Sequence, residues 1–469
     1  MLITIARAYR LIVLAAVCVF VFQPASAQKP KSDRQIAAEI ERYMKSAVEF
    51  EKFSGSIVVA RDGKPIVSRG YGLANVEHDI PNTPKTVFRL ASVTKQFTAT
   101  SIMMLQERGK LNVSDPFCKY LADCPTAWQP ITIKQLLTMT HGIPNVTSLE
   151  LGALRAFPVG WDQWMEATGK KPLEFKPGEK FMYLGAGYTL LGLIIERISG
   201  KTYGEFLQEN IFGPLGMKNS GHEDPSRILK GRATGYRQLP GDPITNLPYR
   251  EMIRMYAAGG VYSTAEDLLL WDQALYTEKL VSKKSIEEMY APDKEMLPGK
   301  AYASGVWVST KHGRREIAHG GNATGFITYI ARYPSDRVAI IVLSNNEKGS
   351  SGKMSGVLSS IVFGSPYEMP YERKAVAVDP AVLNKYVGEY KFAHPQTTIL
   401  VTNENGKLFQ KRNSEAKVEM FAESATKFFL KNEDIQLTFI KDPDGIVTGV
   451  KVDQGDGTLY EYISGQKVM

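Results

Sequence analysis

The sequence predicts an α+β domain followed by a small all-β barrel, and three observations support this fold class. Strand-like segments near both ends of residues 28–363 enclose a largely helical middle, which is typical of a domain whose sheet joins distant parts of the chain. Residues 364–379 are rich in Pro, Tyr and charge, and predict a linker. Beyond them, about eight short segments separated by turn signals predict an antiparallel barrel over residues 380–469.

Local patterns predict the elements of the first domain. Ile36, Ile40, Met44 and Val48 recur at the spacing of an amphipathic helix. Asp62-Gly63 lies between two apolar runs and predicts a hairpin. Further helices are predicted after Ser92, over Ile133–Met139 and over Gly187–Ile198, and strands over Ser304–Val308, Phe326–Arg332 and Val338–Ser344.

The barrel strands are predicted by the same kind of signal. Ile435, Leu437 and Phe439 alternate with polar residues, as in a strand with one buried face. The predicted strands are Thr397–Thr402, Lys407–Arg412, Ile435–Ile440 and Val447–Val452, with turns at Asn405-Gly406, Asp444-Gly445 and Gly455-Asp456-Gly457.

The first 27 residues have the pattern of a secretory signal peptide. Arg7 and Arg10 precede the apolar run Leu11–Phe22, and Ala25-Ser26-Ala27 is a small-x-small cleavage site. The run is short against the ~20 residues of a membrane-spanning helix. We therefore expect cleavage before Gln28, a secreted or periplasmic protein, and no stable membrane span afterwards.

Charge and composition exclude several classes of function. The net charge is +8, and +6 without Arg7 and Arg10, with no basic stripe interleaved with aromatics, so nucleic acid is not an expected partner. No Cys/His cluster has the spacing of a zinc site, so we expect no metal. Cys118 and Cys124 remain after cleavage, and the sequence leaves open whether they form a disulfide or two partly buried thiols.

The most informative segment for function is Ser92-Val93-Thr94-Lys95, where an extended stretch is predicted to lead into a helix. Residues three apart share a helix face, so the Lys95 amine is expected beside the Ser92 hydroxyl. A serine is a poor nucleophile until a neighbouring base takes its proton, and a lysine can do so. The helix start also offers unpaired N–H groups for a developing oxyanion.

Two considerations weaken this motif when it is taken alone. Ser-x-x-Lys also begins at Ser26, Ser350, Ser414, Ser424 and Ser464. A serine before a helix is also a common N-cap, so a capping role for Ser92 remains an alternative.

Two later segments add candidate functional residues. In Pro177–Tyr183 a tyrosine follows a turn and precedes a predicted helix, where a phenol beside a cation could relay protons. In His319–Phe326, glycines beside a strand edge allow close approach of a substrate to the backbone.

Taken in order, these segments resemble the serine β-lactamase and penicillin-binding-protein superfamily, and most of all its class C branch, which includes D-aminopeptidases, DD-carboxypeptidases and esterases. The resemblance covers roughly residues 35–360, and the tail, through Leu383–Tyr390, resembles the lipocalin-like barrel appended to some members. The matching stretches are Phe88–Lys95, Leu136–Pro144, Pro177–Gly192, Ile211–Met217, Gly259–Thr264 and His319–Gly321.

The resemblance implies a fold and a set of roles. The first domain would combine an antiparallel sheet flanked by helices with an all-helical subdomain. Ser92 would attack a carbonyl and form an acyl-enzyme, with Lys95 and Tyr183 as a coupled pair that moves protons. The backbone N–H groups of Ser92 and Asn322 would form the oxyanion hole. His319, Gly320 and Gly321 would line the substrate site, and no cofactor is expected.

Two departures from the family pattern concern the substrate. The usual Tyr-x-Asn, whose Asn contacts a substrate amide, is Tyr183-Leu184-Gly185 here. The usual Lys-Thr-Gly is His319-Gly320-Gly321, which has no hydroxyl and a histidine expected to be neutral to half-charged near pH 7. Weaker or pH-dependent carboxylate recognition is expected.

The sequence therefore predicts an exported serine hydrolase acting on an ester, a D-amino-acid peptide or amide, or a β-lactam. The partner would be a small molecule or peptide, including cell-wall fragments, and the oligomeric state is left open. The alternative is a protein that binds penicillin or peptidoglycan fragments without efficient turnover. The barrel is expected to cap, gate or orient the cleft, with lipid or glycan binding as a further alternative. His141 and the tryptophans Trp161, Trp164 and Trp271 are expected to be structural.

Overall fold

The computed structural model describes residues 31–145, 161–239, 241–248, 255–292, 299–392, 397–431, 433–453 and 459–463. The predicted signal peptide, the turn at Gly455-Asp456-Gly457 and the side chain of Trp161 lie outside what is described. No helix in the described ranges is both long enough and apolar enough to span a bilayer.

A seven-stranded antiparallel sheet is the framework of the first domain. The strand Gly55–Arg61 pairs with the strand Val338–Ser344 from Gly55↔Ser344 to Arg61↔Val338, so the sheet joins distant parts of the chain, as predicted. The hairpin at Asp62-Gly63 is also confirmed. In spatial order the strands are β10 (Lys300–Tyr302), β11 (Trp307–Lys311), β12 (Arg314–Ala323), β13 (Phe326–Tyr333), β14 (Val338–Ser344), β1 (Gly55–Arg61) and β2 (Lys64–Tyr71).

Helices cover both faces of this sheet. On one face, Ile57 and Val59 pack against the predicted N-terminal helix and against the helix Ser351–Phe363. The other face, through Val58 and Ala60, packs against the helical subdomain, where Trp271 is fully buried. The α-helices are α1 (Asp33–Phe50), α2 (Thr94–Glu107), α3 (Ile133–Leu137), α4 (Trp161–Gly169), α5 (Ala186–Ser199), α6 (Tyr203–Leu207), α7 (Gly213–Leu215), α8 (Tyr256–Gly259), α9 (Ala265–Ala274), α10 (Lys283–Tyr290), α11 (Ser351–Phe363) and α12 (Pro380–Leu383).

Short elements complete the first domain. A 3₁₀ turn at Ala91–Val93 precedes α2, and a π-helical turn at Gln208–Phe212 joins α6 to α7. The short strands are β3 (Leu73–Asn75), β4 (Ile80–Pro81), β5 (Phe88–Arg89), β6 (Gly221–His222), β7 (Tyr236–Arg237), β8 (Thr245–Asn246) and β9 (Val261–Ser263).

The strand expected over Ser304–Val308 begins later than predicted, at Trp307. The preceding residues form the turn between β10 and β11, in which Ala303 N donates to Val306 O at 2.9 Å. Gly305 has φ +78°, and a Cβ there would lie 2.6 Å from the Lys95 carbonyl oxygen. Contact with the start of α2 therefore requires a glycine turn where the sequence pattern favoured a strand.

The C-terminal domain is an antiparallel sheet of eight strands paired in chain order, and its first and last strands approach each other to give a nearly closed barrel. This confirms the predicted barrel. Its interior is filled by its own side chains, and Tyr386 stacks on Phe439 with ring centroids 4.2 Å apart. The strands are β15 (Gly388–Phe392), β16 (Thr397–Glu404), β17 (Lys407–Arg412), β18 (Val418–Ala422), β19 (Lys427–Phe429), β20 (Gln436–Lys441), β21 (Val447–Asp453) and β22 (Leu459–Ile463).

The barrel contacts the first domain on the face that carries α1 and α11. Asp434 pairs with Arg373 at 2.6 Å and lies 3.9 Å from Lys353 of α11, whose ammonium also binds Glu51 at 3.0 Å. This face is opposite the one covered by α2. The expectation that the barrel caps or gates the cleft beside α2 is therefore not supported by the described contacts.

The question left open for the two cysteines is answered by the structure. Cys118 and Cys124 form a disulfide, with their Cα atoms 5.6 Å apart. Both residues are partly buried and pack against the core of the helical subdomain.

Candidate active site

Ser92 lies in a strained turn at the start of α2. The turn spans Ala91–Val93, and Ala91 has φ +48°, a conformation that a residue with a Cβ rarely adopts. Val93 is the N-cap of α2, and no side chain caps that helix. The Ser92 hydroxyl is therefore not engaged in the capping role that the sequence left as an alternative.

Contacts from two other strands, β9 and β13, hold this turn in place. Strand β5 pairs with β9 through Arg89↔Tyr262, and Leu90 N donates to Val261 O at 2.9 Å. On the other side, Thr328 Oγ1 donates to Leu90 O at 2.8 Å. The position of Ser92 is thus fixed by residues far away in the chain.

Lys95 lies one helical turn after Ser92 and is only 2% exposed. Its Nζ lies 3.2 Å from Ser92 Oγ and donates to the Ala258 carbonyl oxygen at 2.8 Å. In the described part of the chain, no carboxylate lies within ion-pair distance of this amine. The side chain is therefore held against the serine by a backbone carbonyl.

The Ala258 carbonyl was not predicted from the sequence. Ala258 directly precedes the matched stretch Gly259–Thr264, but nothing in its residue type marks it as a lysine ligand. It belongs to α8, whose first residue, Tyr256, has φ +37°.

The aromatic ring of Tyr183 lies beside the same Lys95 amine. Lys95 Nζ lies 5.0 Å from the Tyr183 ring centroid and 5.5 Å from that of Tyr188, so two aromatic rings flank the amine. The Tyr183 side chain is 39% exposed, and its hydroxyl has no hydrogen-bond partner among the described residues. The structure thus brings the Tyr183 ring beside the hydroxyl and amine of Ser92 and Lys95, although the two motifs lie far apart in the sequence.

The segment 319–323 forms one wall of the site. Strand β11 pairs with β12 only as far as Ala318, opposite Trp307, and among the described residues no strand covers that side of β12 beyond this point. Asn322 lies on this uncovered stretch, and its side chain is exposed. An uncovered strand edge presents backbone donors, which is what an oxyanion hole requires.

Gly321 permits the close approach of this strand to the turn that carries Ser92. A Cβ at Gly321 would lie 2.1 Å from the Leu90 carbonyl oxygen, whereas one at Gly320 would meet Tyr329 Cδ2 at 3.2 Å. The sequence predicted that these glycines admit a substrate. At Gly321, the group that requires the space is the chain's own backbone.

The His319 side chain points into the protein and is 3% exposed. Its Nδ1 lies 2.6 Å from Gly320 O and its Nε2 lies 3.3 Å from Tyr302 Oη. Burial, with a further contribution from the Lys95 charge, lowers the pKa of His319 to about 3. The expected range for this histidine near pH 7 ran from neutral to half-charged, and the buried ring lies at its neutral end.

Comparisons with known proteins agree with this geometry. A family model described as Beta-lactamase matches residues 40–356, and one described as a domain of unknown function (DUF3471) matches residues 372–467. Penicillin-binding protein 4* of Bacillus subtilis (strain 168) is 30% identical over 437 residues, which cover 87% of this chain and 94% of the relative.

Solved structures show the same similarity. The octameric penicillin-binding protein homologue from Pyrococcus abyssi superposes with a TM-score of 0.63 at 25% identity, covering 91% of this chain and 99% of that one. A D-stereospecific amidohydrolase from Streptomyces sp. gives a TM-score of 0.59 over 70% of this chain and 99% of its own, and at 22% identity it supports the fold alone.

Proposed function

The chain belongs to the beta-lactamase family and is a serine hydrolase of that superfamily, and we propose that it is exported and works through a covalent acyl-enzyme at Ser92. The observation that carries the proposal is the 3.2 Å contact between Ser92 Oγ and Lys95 Nζ, beside an uncovered strand edge. The substrate is an ester, a D-amino-acid peptide or amide, or a β-lactam. The Bacillus subtilis relative is a penicillin-binding protein, which supports reactivity toward penicillin.

In the proposed acylation, Ser92 Oγ bonds to the substrate carbonyl carbon while its proton passes to Lys95 in its amine form. The oxyanion is stabilised by the backbone N–H groups of Ser92 and Asn322. When the bond to the leaving group breaks, that group takes a proton through Tyr183 and Lys95, which act as a pair. Water then attacks the acyl carbon, its proton returns to Ser92 Oγ, and the carboxylic acid leaves.

Export is supported by two independent features. Arg7, Arg10 and the apolar run Leu11–Phe22 have the pattern of a signal peptide. The disulfide between Cys118 and Cys124 is of a kind that persists in oxidising compartments.

The experiment that tests the proposal uses the chain without residues 1–27 and two covalent probes, a fluorophosphonate and a fluorescent penicillin. The adduct is located by mass spectrometry, and turnover is measured with a chromogenic ester and a chromogenic cephalosporin. Adduct formation at Ser92 with hydrolysis of either substrate is expected. If neither probe labels Ser92, the proposal is wrong.

The second candidate function, capture of penicillin without turnover, is favoured by one observation. Gly185 provides no side chain for the amide contact usual in the family. A penicillin adduct that persists, with neither substrate hydrolysed, would select this function.

The close approach at Gly321 leads to a prediction about the nucleophile turn. Gly321→Ala places a methyl group 2.1 Å from the Leu90 carbonyl oxygen, so the turn that carries Ser92 must move. We expect kcat/KM to fall at least about tenfold and the free energy of unfolding to fall by about 1–3 kcal/mol. Gly320→Ala, with its nearest atom at 3.2 Å, is the control and should lose less in both measurements. Equal losses in the two variants would contradict the assignment.

A further inference from the structure

The N-terminus of α5 borders the proposed active site, and its N-cap residue, Gly185, has no side chain. Gly185 follows Tyr183 by two positions. A Cβ built on Gly185 would lie 4.0 Å from the Ala258 Cβ, and the Ala258 carbonyl is the one that holds Lys95. A side chain extending from position 185 would therefore begin beside the groups that flank the nucleophile.

A carboxamide from another part of the chain already lies next to this position. Asn145 Oδ1 accepts a hydrogen bond from Ala186 N at 3.1 Å. The same oxygen lies 3.8 Å from where a Cβ of residue 185 would be. The Asn145 side chain is exposed to solvent and follows the matched stretch Leu136–Pro144 directly.

The hydrogen bond to Ala186 fixes which end of the carboxamide faces outward. A backbone N–H can only donate, so the oxygen of Asn145 must face Ala186. The two N–H donors of Nδ2 then point away from the helix end, and no described residue accepts from them. The Nδ2 end of this side chain carries hydrogen-bond donors, whose natural complement is a carbonyl oxygen.

We propose that Asn145 replaces the side chain missing at Gly185 and donates from Nδ2 to a carbonyl oxygen in the acyl part of the substrate. The inference rests on the proposed function and narrows its substrate class. The preferred substrate carries an acylamino group next to the carbonyl that Ser92 attacks, as in an N-acylated amino acid or a peptide. A simple fatty ester lacks that acceptor.

A purely structural role for Asn145 would be to cap α5 through Ala186 N. Two substitutions separate the roles. Asn145→Asp keeps an oxygen for Ala186 N, and its negative charge suits a helix N-terminus, but it removes the Nδ2 donors. Asn145→Ala removes both groups. Capping alone predicts that the aspartate variant behaves like the wild type.

The test compares two thiobenzyl esters that share a leaving group, with release of the thiol as the signal. One is the ester of N-acetylalanine, used as each enantiomer. The other is the matched ester in which CO–NH is replaced by CH₂–CH₂, so it keeps the shape and loses the acceptor. We expect kcat/KM for the better acylamino enantiomer to fall about tenfold in both variants, and that for the apolar ester to change less than about twofold.

The outcomes distinguish the inference from the proposed function. Wild-type activity in Asn145→Asp, no loss in Asn145→Ala, or an equal loss on both esters would overturn the inference while leaving Ser92 chemistry intact. If the wild type hydrolyses neither ester and forms no adduct at Ser92, the proposed function and this inference both fail.

A double variant provides a gain-of-function arm. Gly185 has φ −66°, and no atom lies closer than 3.8 Å to a Cβ built there, so an asparagine fits. Adding Gly185→Asn to Asn145→Ala is expected to restore most of the selectivity for the acylamino ester. If selectivity stays as low as in Asn145→Ala, the claim that the two positions share one role is overturned.

Discussion

Replacing Ser92 with alanine is expected to lower kcat/KM for any hydrolysed substrate by about 10⁴-fold or more, because no acyl-enzyme can form without its Oγ. Fluorophosphonate labelling should disappear as well. The serine side chain caps no helix, and its one described side-chain contact is the 3.2 Å approach of Lys95. The thermal transition is therefore expected to stay within a few degrees of the wild type.

Ser424→Ala is the matched control for this experiment. Ser424 also begins a Ser-x-x-Lys sequence, but it lies in a turn of the barrel, where its hydroxyl accepts from the backbone of Thr426 and Lys427. Labelling and hydrolysis should be unchanged in this variant. Residual labelling of Ser92→Ala, or a large loss of its stability, would mean that another nucleophile acts or that Ser92 is structural.

Acidification is expected to destabilise the protein well above the pH at which carboxylates become protonated. His141 and His319 are both buried, and burial lowers the pKa of His141 to about 4 and that of His319 to about 3, against 6.5 in the unfolded chain. Between these values the unfolded chain binds a proton on each histidine and the folded protein does not. The free energy of unfolding therefore falls as the pH is lowered.

The size of this effect follows from the pKa differences. At pH 5 each histidine is expected to lower the free energy of unfolding by about 2 kcal/mol relative to pH 8, which averages about 1 kcal/mol per pH unit per histidine between pH 7 and pH 5. Urea unfolding at half-unit steps between pH 7 and pH 5 measures this slope. Burial also lowers the pKa of His222 to about 4, so His319→Gln removes one of several contributing sites and should reduce the slope by about that amount.

His78 provides the control, because its side chain is exposed. His78→Gln should leave the slope unchanged. If His319→Gln has the wild-type slope, His319 is not the buried neutral group that the structure indicates. His141 accepts a hydrogen bond from Ile143 N at 2.9 Å, so its neutral form also has a structural role, as the sequence suggested.

Much of the fold could be predicted because its signals are local. The hairpin at Asp62-Gly63 is encoded by two residues that favour a tight turn, and α5 ends at Gly200, which is in the left-handed conformation. The barrel strands follow from alternation and turn residues within each short segment. In each case the determining interactions lie within a few residues, so the pattern is visible in the chain.

The groups around Ser92 could be predicted in part, because some of them are also close in the sequence. Ser92 and Lys95 are three residues apart, so helix geometry alone brings them together. Tyr183 was found only because its motif occurs in order with the others. The contact between Asn145 and Ala186 was missed, because Ala186 lies on another element and neither residue type marks the pair.

The sequence by itself therefore determined the class of fold, the barrel and the close approach of Ser92 and Lys95, since these depend on periodicity, turn chemistry and helix geometry. Tertiary structure alone decided which carbonyl holds Lys95, that His319 is neutral, that the two cysteines pair and that the barrel lies on the face away from α2. Burial and long-range contacts set pKa values and hydrogen-bond partners. Neither burial nor a long-range contact can be deduced from the spacing of residues along a chain.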